Sequence, residues 1–213
     1  MSAALTFRCT ECGECCRRLR VALTVLDLSR LARHTLTPAH ELVQWLSPSE
    51  VDMTGEPQSF VELSIGKRLM VLAQREGACV HLARDNRCQV YAARPLDCRA
   101  YPFDFTLEAD GKRRLSLLAL EGCAFASDGT QDLAAIERTE AARTRELEQH
   151  RARGARWNRL AWHRRRLGQR VGSDADFLRF ALTLADAERG SETEGETGAL
   201  ECCEESRHSG RVP

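Results

Sequence analysis

The sequence predicts an α+β fold, a small cysteine-rich metal-binding domain of short antiparallel strands and helices with an α-helical C-terminal extension. Three observations predict it. Eight of the ten cysteines fall within the first 123 residues, in two ordered groups. The apolar period there switches between helical and strand-like, and beyond about residue 128 only helical patterns remain. The expected division is a cysteine domain over 1–128, a helical extension over 129–189 and a disordered acidic tail over 190–213.

The elements follow in chain order. In LTVLDLSRLARH, Thr24 can cap a helix with Asp27 in the capping-box position, and Val25, Leu28 and Leu31 return at helical spacing. A second helix is expected from Thr37-Pro38, with Leu42, Val43, Trp45 and Leu46 on its buried side and Pro48 as its stop. Residues 59 to 74 take a strand period on both sides of Gly66 and read as a hairpin. ACVHL and RCQVY read as two short strands around the turn ARDN, which brings Cys79 and Cys88 together. Asp110-Gly111 supplies the positive-φ positions for another hairpin between Phe103 and Leu120. QDLAAIERTEAARTRELEQHRARGARWNRLAWHRRR is a long helical pattern, expected to break near Gly154. A last helix starts at Ser173, with Asp176 in the capping-box position and a stripe of Phe177, Phe180, Ala181 and Leu184 that should pack onto the domain.

At 213 residues the chain can bury a core without disulfides. MSAALTF has neither a basic n-region nor an apolar h-region, and no run approaches the roughly 18 apolar residues of a membrane helix. The expectation is a cytoplasmic protein with no membrane partner. In a reducing compartment ten cysteines serve more readily as thiolate ligands than as disulfides. Net charge is zero, and Lys67 and Lys112 are the only lysines. The excess of arginine between Arg138 and Arg170 fits solvated helix faces better than a nucleic-acid surface.

Metal is the leading reading of the cysteines. Cys9, Cys12 and Cys15 recur with two residues between neighbours, so a loop can point three sulfurs at one centre while amides near Gly13 turn inward. Cuboidal iron-sulfur clusters use that spacing with a distant fourth cysteine, and a C-x2-C pair is equally at home on zinc. Cys16 adds a constraint: adjacent residues do not easily aim both sulfurs at one tetrahedral ion. Cys15 and Cys16 therefore serve different centres or opposite sides of one polynuclear centre. Cys79, Cys88, Cys98 and Cys123 raise the count to eight, the arithmetic of two four-cysteine sites. The expected cofactor is zinc or an iron-sulfur cluster, 4Fe-4S among the options. Cys202 and Cys203 lie in the tail and are left out of the site. His81 is expected beside the ligands rather than among them, and the other five histidines show no ligand spacing. Arg94 and Arg99 can neutralise thiolate charge, and Pro95 and Pro102 bracket the turn at Cys98.

The ordered signatures F-x-C-x2-C-G-x-C-C over Phe7 to Cys16 and C-x-x-L-x5-C-x-V-Y-x2-R-P-x2-C-R-x-Y-P-F over Cys79 to Phe103 resemble the YkgJ family of cysteine-cluster proteins, zinc- or iron-chelating domains. The resemblance covers about residues 7 to 125. It implies ligation by Cys9, Cys12, Cys15, Cys16, Cys79, Cys88 and Cys98, with Tyr101 in the conserved-pattern position beside them. Cys123 matches less tightly, because members often follow that cysteine with Pro-Gly and here Ala124-Phe125 follow. A related branch, the flagellin lysine N-methylases, makes a protein-modifying enzyme an alternative function, and a zinc-stapled interaction module is another. The chain shows no glycine-rich S-adenosylmethionine loop, no C-x3-C-x2-C radical motif, and no catalytic triad or P-loop.

Overall fold

Thr24 opens the first long helix with a complete capping box. Its hydroxyl accepts from Asp27 N–H at 3.0 Å, and Asp27 Oδ2 accepts from Thr24 N–H at 3.1 Å. In the computed structural model, which describes residues 6–52, 56–108, 113–118, 121–130 and 132–186, the elements run as follows. The strands are β1 (Thr6–Cys9), β2 (Val43–Leu46), β3 (Val61–Leu63), β4 (Gly66–Leu72), β5 (Gln74–Arg75), β6 (Ala78–Cys79), β7 (Phe103–Leu107), β8 (Arg113–Leu117) and β9 (Phe125–Thr130). The helices are α1 (Glu14–Arg18), α2 (Val25–Thr35), α3 (Leu96–Ala100), α4 (Leu133–Arg166) and α5, residues 174–186. The fold is α+β.

All strand pairs are antiparallel: β2-β4-β3 form one sheet, and β1-β9, β5-β6 and β7-β8 form two-stranded ribbons. The hairpins expected over 59–74 and 103–120 are β3-β4 and β7-β8, although Asp110-Gly111 lie outside the described residues. The helix expected from Thr37 is instead a single 3-10 turn, Ala39–Glu41, followed by β2. Val43 and Trp45 pair with Leu72 and Met70 of β4, a place where β-branched and aromatic side chains pack well, so the tertiary pairing overrides the short helical period. RCQVY forms no strand. Cys88 makes one isolated bridge to Leu82, and the chain then enters a 3-10 turn at Tyr91–Ala93.

α4 is continuous through Gly154, contrary to the expected break. A Cβ at residue 154 would stand 3.4 Å from Val61 Cγ1, near van der Waals contact, so α4 passes close against β3 at this point. α4 also closes the free edge of that strand: Asn158 Oδ1 accepts from Glu62 N–H at 2.7 Å, Asn158 Nδ2 donates to Phe60 C=O at 3.0 Å, and Trp157 Nε1 donates to Glu62 C=O at 2.7 Å. α5 starts with the expected capping box, Ser173 N–H donating to Asp176 Oδ2 at 2.9 Å.

The core joins Val25, Leu28 and Leu31 of α2, Leu63, Met70 and Leu72 of the sheet, Trp157 of α4 and Phe177 and Ala181 of α5. Phe177 is fully buried and meets the rings of Trp45 and Trp157 edge-on at 5.8 and 5.5 Å. Burying such a side chain contributes about 2–3 kcal/mol. The C-terminal helices thus complete the core begun by α2 and the sheet. Residues 21–23 stitch α1 to that core: Leu23 N–H donates to Met70 C=O at 3.0 Å and Leu72 N–H to Val21 C=O at 2.8 Å. Among the described residues, no helix is long and apolar enough to cross a membrane. Cys202 and Cys203 and the expected acidic tail lie outside the described residues.

Candidate metal centre

Cys9, Cys15, Cys16, Cys79 and Cys98 sit on short elements, and Cys12, Cys88 and Cys123 on the connections between elements. Cys9 ends β1 directly opposite Phe125 of β9, and this pairing brings the Cys123 segment to the N-terminal cluster. Gly13 has φ +77, and a Cβ there would stand 2.7 Å from Arg17 Nη1 and 3.3 Å from Leu82 Cδ1. Only glycine lets the first cluster lie so closely on the turn between Cys79 and Cys88. Cys15 and Cys16 then sit in the five-residue α1, rather than in open loop.

The turn itself is tied by Ala83 N–H to Arg87 C=O at 2.9 Å and by Arg87 N–H to Asp85 Oδ1 at 3.1 Å. It returns the chain so that Cys88 bridges back to Leu82 beside Cys79. Pro95, at φ −51 and ψ 151, leads into α3, which carries Cys98. The first amide of α3, Leu96 N–H, donates to Asp27 Oδ1 at 3.0 Å. Asp27 therefore caps two helix starts at once, its own and the one that holds Cys98. Local spacing marked Asp27 as a capping residue; nothing local could reveal a bond to a residue 69 positions away.

Cys9, Cys12, Cys15, Cys16, Cys79, Cys88, Cys98 and Cys123 all line one cavity of about 640 Å3. None of the eight is in a disulfide. Among the described residues, no three cysteine, histidine or carboxylate side chains are drawn tightly enough together to grip a single ion. The thiols instead spread over the wall of a space wider than one ion. A family model described as "Putative zinc- or iron-chelating domain" matches residues 8–123, more than half of the chain. The chain belongs to this CxxCxxCC family. The matched span contains all eight cysteines and ends on Cys123. No curated protein and no solved structure matches the chain.

The electrostatics of the CxxCxxCC domain centre on Cys15. Its thiol is pushed up first by a hydrogen bond with Cys16 and then by burial, with Arg94 opposing. Burial chiefly raises Cys98, and Cys79, Asp97 and Cys15 add to it against Arg94. Cys79 is raised by burial and by Cys88 and Cys15, while the His81 amide works the other way. Cys123 is raised by burial and by Cys12 and Cys15, opposed by a hydrogen bond with Tyr101. Cys15 is thus felt from both cysteine groups. The cause shared by all four is burial, which disfavours the charged thiolate, with neighbouring cysteines adding to it, and a bound cation favours the thiolate instead.

The donor set fits a thiophilic metal centre. Two backbone amides already point at sulfur, Glu11 N–H to Cys9 Sγ and His81 N–H to Cys79 Sγ, both at 3.4 Å, and such donors favour thiolate. His81 meets the site through this amide. His81 is buried and is not among the residues that line the cavity, its Nε2 has no partner among the described residues, and burial and His34 lower its pKa. Arg94, Arg99 and Tyr101 all line the cavity. Arg94 spends Nε on Tyr91 C=O at 3.2 Å, and Arg99 spends Nε on Arg94 C=O at 2.9 Å.

Proposed function

We propose that the eight cysteines Cys9, Cys12, Cys15, Cys16, Cys79, Cys88, Cys98 and Cys123 together hold a polynuclear thiolate centre, either two or more zinc ions or an iron-sulfur cluster such as 4Fe-4S. The observation that carries this reading is the single shared cavity. Four thiolates satisfy one tetrahedral zinc, so eight around one space are twice what one ion takes. Cys15 supports it further, because it couples to Cys16, Cys79, Cys98 and Cys123 rather than to one half of the set. The bound centre would supply positive charge that turns the crowded thiols into ligands. Tyr101 would hold Cys123 by its hydroxyl.

Anaerobic purification of the full chain, followed by metal and acid-labile sulfide analysis, tests this. The expected result is at least two metal atoms per chain, colourless if zinc and with broad visible absorbance and matching sulfide if iron. One ion per chain, or none, overturns it.

A further inference from the structure

The thiols occupy only part of the cavity wall. Phe7, Leu19, Val21, Leu72 and Val90 form an apolar remainder. The volume, about 640 Å3, lies in the range of small-molecule pockets. Even eight cluster atoms at a water's share of about 30 Å3 each, roughly 240 Å3, leave more than half of it free.

One cation on this wall has an unused binding edge. The Arg94 guanidinium lies 3.7 Å above the Tyr91 ring, its Nε donates to Tyr91 C=O, and its carbonyl is tied to Arg99 Nε. Neither of its Nη atoms bonds another described residue. Of the other arginines on the wall, Arg8 gives Nε and Nη2 to Asp128, Arg99 gives Nε and Nη2 to the carbonyls of Arg94 and Ala92, and Arg20 gives Nη1 to Gln74. Arg94 is therefore a pre-oriented fork with two free donors on the cavity wall that also carries Cys15 and Cys98. A planar fork of this kind matches a carboxylate in two parallel hydrogen bonds. Beside a thiolate centre a monoanion is repelled less than a phosphate dianion.

We propose that Arg94 anchors the carboxylate of a small organic acid whose apolar body lies on Leu19, Val21, Leu72 and Val90, next to the metal centre. This inference rests on the metal reading above, since the acid shares the cavity with that centre. Charge neutralisation of the thiolates alone is the competing role for Arg94, and it predicts no ligand.

The test is calorimetric titration of the metal-loaded full chain with hexanoate and with hexanamide, with metal content measured on the same samples. Hexanoate is expected to bind saturably and about tenfold or more tighter than the amide, the worth of a charged hydrogen-bonded contact. Arg94→Gln should remove that preference at unchanged metal content, and Arg94→Lys, which keeps charge without the fork, should restore part of it. Should Arg94→Gln misfold, weaker hexanoate binding by fully metallated Arg94→Lys supports the same conclusion, and undiminished binding overturns it. Metallated wild type that takes no hexanoate up to about 10 mM, a regime of very weak contacts, overturns this inference alone. So does equal binding of both probes, or hexanoate binding that survives Arg94→Gln. Loss of metal from a folded Arg94→Gln assigns the residue to the thiolates and overturns it as well. Wild type without metal overturns the metal reading and this inference with it.

Discussion

Around the apolar core, α2, β2 to β4, α4 and α5 bring Val25, Leu28, Leu63, Val71, Phe177 and Ala181 to zero exposure, whereas around the cavity α1 and α3 have five residues each and β5 and β6 two. The core is held by packing of long amphipathic elements, the ordinary source of domain stability. The cysteine lobe has too little regular structure to stand that way. Its segments are fixed at their ends, by the β1-β9 ribbon, by the Gly13 contact with the Leu82–Asn86 turn and by the Asp27 bond to α3, and their middles carry thiols that line the cavity. A fold can thus leave a region under-packed where a ligand is to complete it.

Metal removal should separate the two regions most strongly. Chelation is expected to expose the amides of residues 9–19 and 78–101 to hydrogen exchange while β4 and α4 stay protected, since structural zinc contributes about 10 kcal/mol or more to the elements it ties. Uniform loss of protection would make core and lobe one unit. Phe177→Ala should act in the opposite sense. Its expected cost in denaturant unfolding is about 3–5 kcal/mol, felt by the whole chain because the ring sits between Trp45 and Trp157.

Asp27 links the regions. Asp27→Ala strips the acceptor from Thr24 N–H, Leu96 N–H and Arg30, and is expected to cost about 2–3 kcal/mol. The distinguishing readout is the charge-transfer spectrum of the cobalt-substituted chain: if Asp27 positions Cys98, the spectrum should move toward that of Cys98→Ser, whereas a purely core role leaves it unchanged.

An effect of similar size is expected from pH. His150, buried in α4, is pushed down to about 4 by burial, then by Arg153 and Arg151 against Asp27. A base depressed in the folded state leaves the unfolded chain with more bound protons between pH 4 and 6.5, so stability falls as pH drops through that window. The fall should be on the order of 2–3 kcal/mol, and His150→Gln should flatten it in melts at pH 4.5 and 7. The smallest effect belongs to the β1-β9 ribbon, where Arg8 and Asp128 pair at 2.9 Å in full solvent. Asp128→Asn should leave the melting temperature unchanged within error, because exposed pairs are screened.

Much of this was legible in the sequence. The capping boxes at Thr24 and Ser173 and the hairpins around Gly66 and across 103–120 rest on local chemistry that the chain carries wherever it goes. The cysteine spacings named the candidate ligands for the same reason. Three expectations failed where neighbours decided: β2 became a strand because β4 lay beside it, RCQVY stayed unpaired except for one bridge, and α4 ran on through Gly154, close against Val61, instead of breaking.

The sequence by itself determined the α+β class, the set of thiols and the presence of a metal-chelating family signature, because each depends on residue type and on separations of a few positions. Only the tertiary structure decided that all eight thiols share one cavity and that Asp27 holds the helix of Cys98. Those are contacts between residues tens of positions apart. Their free energy is set by burial and by the fit of surfaces that exist only once the core has formed.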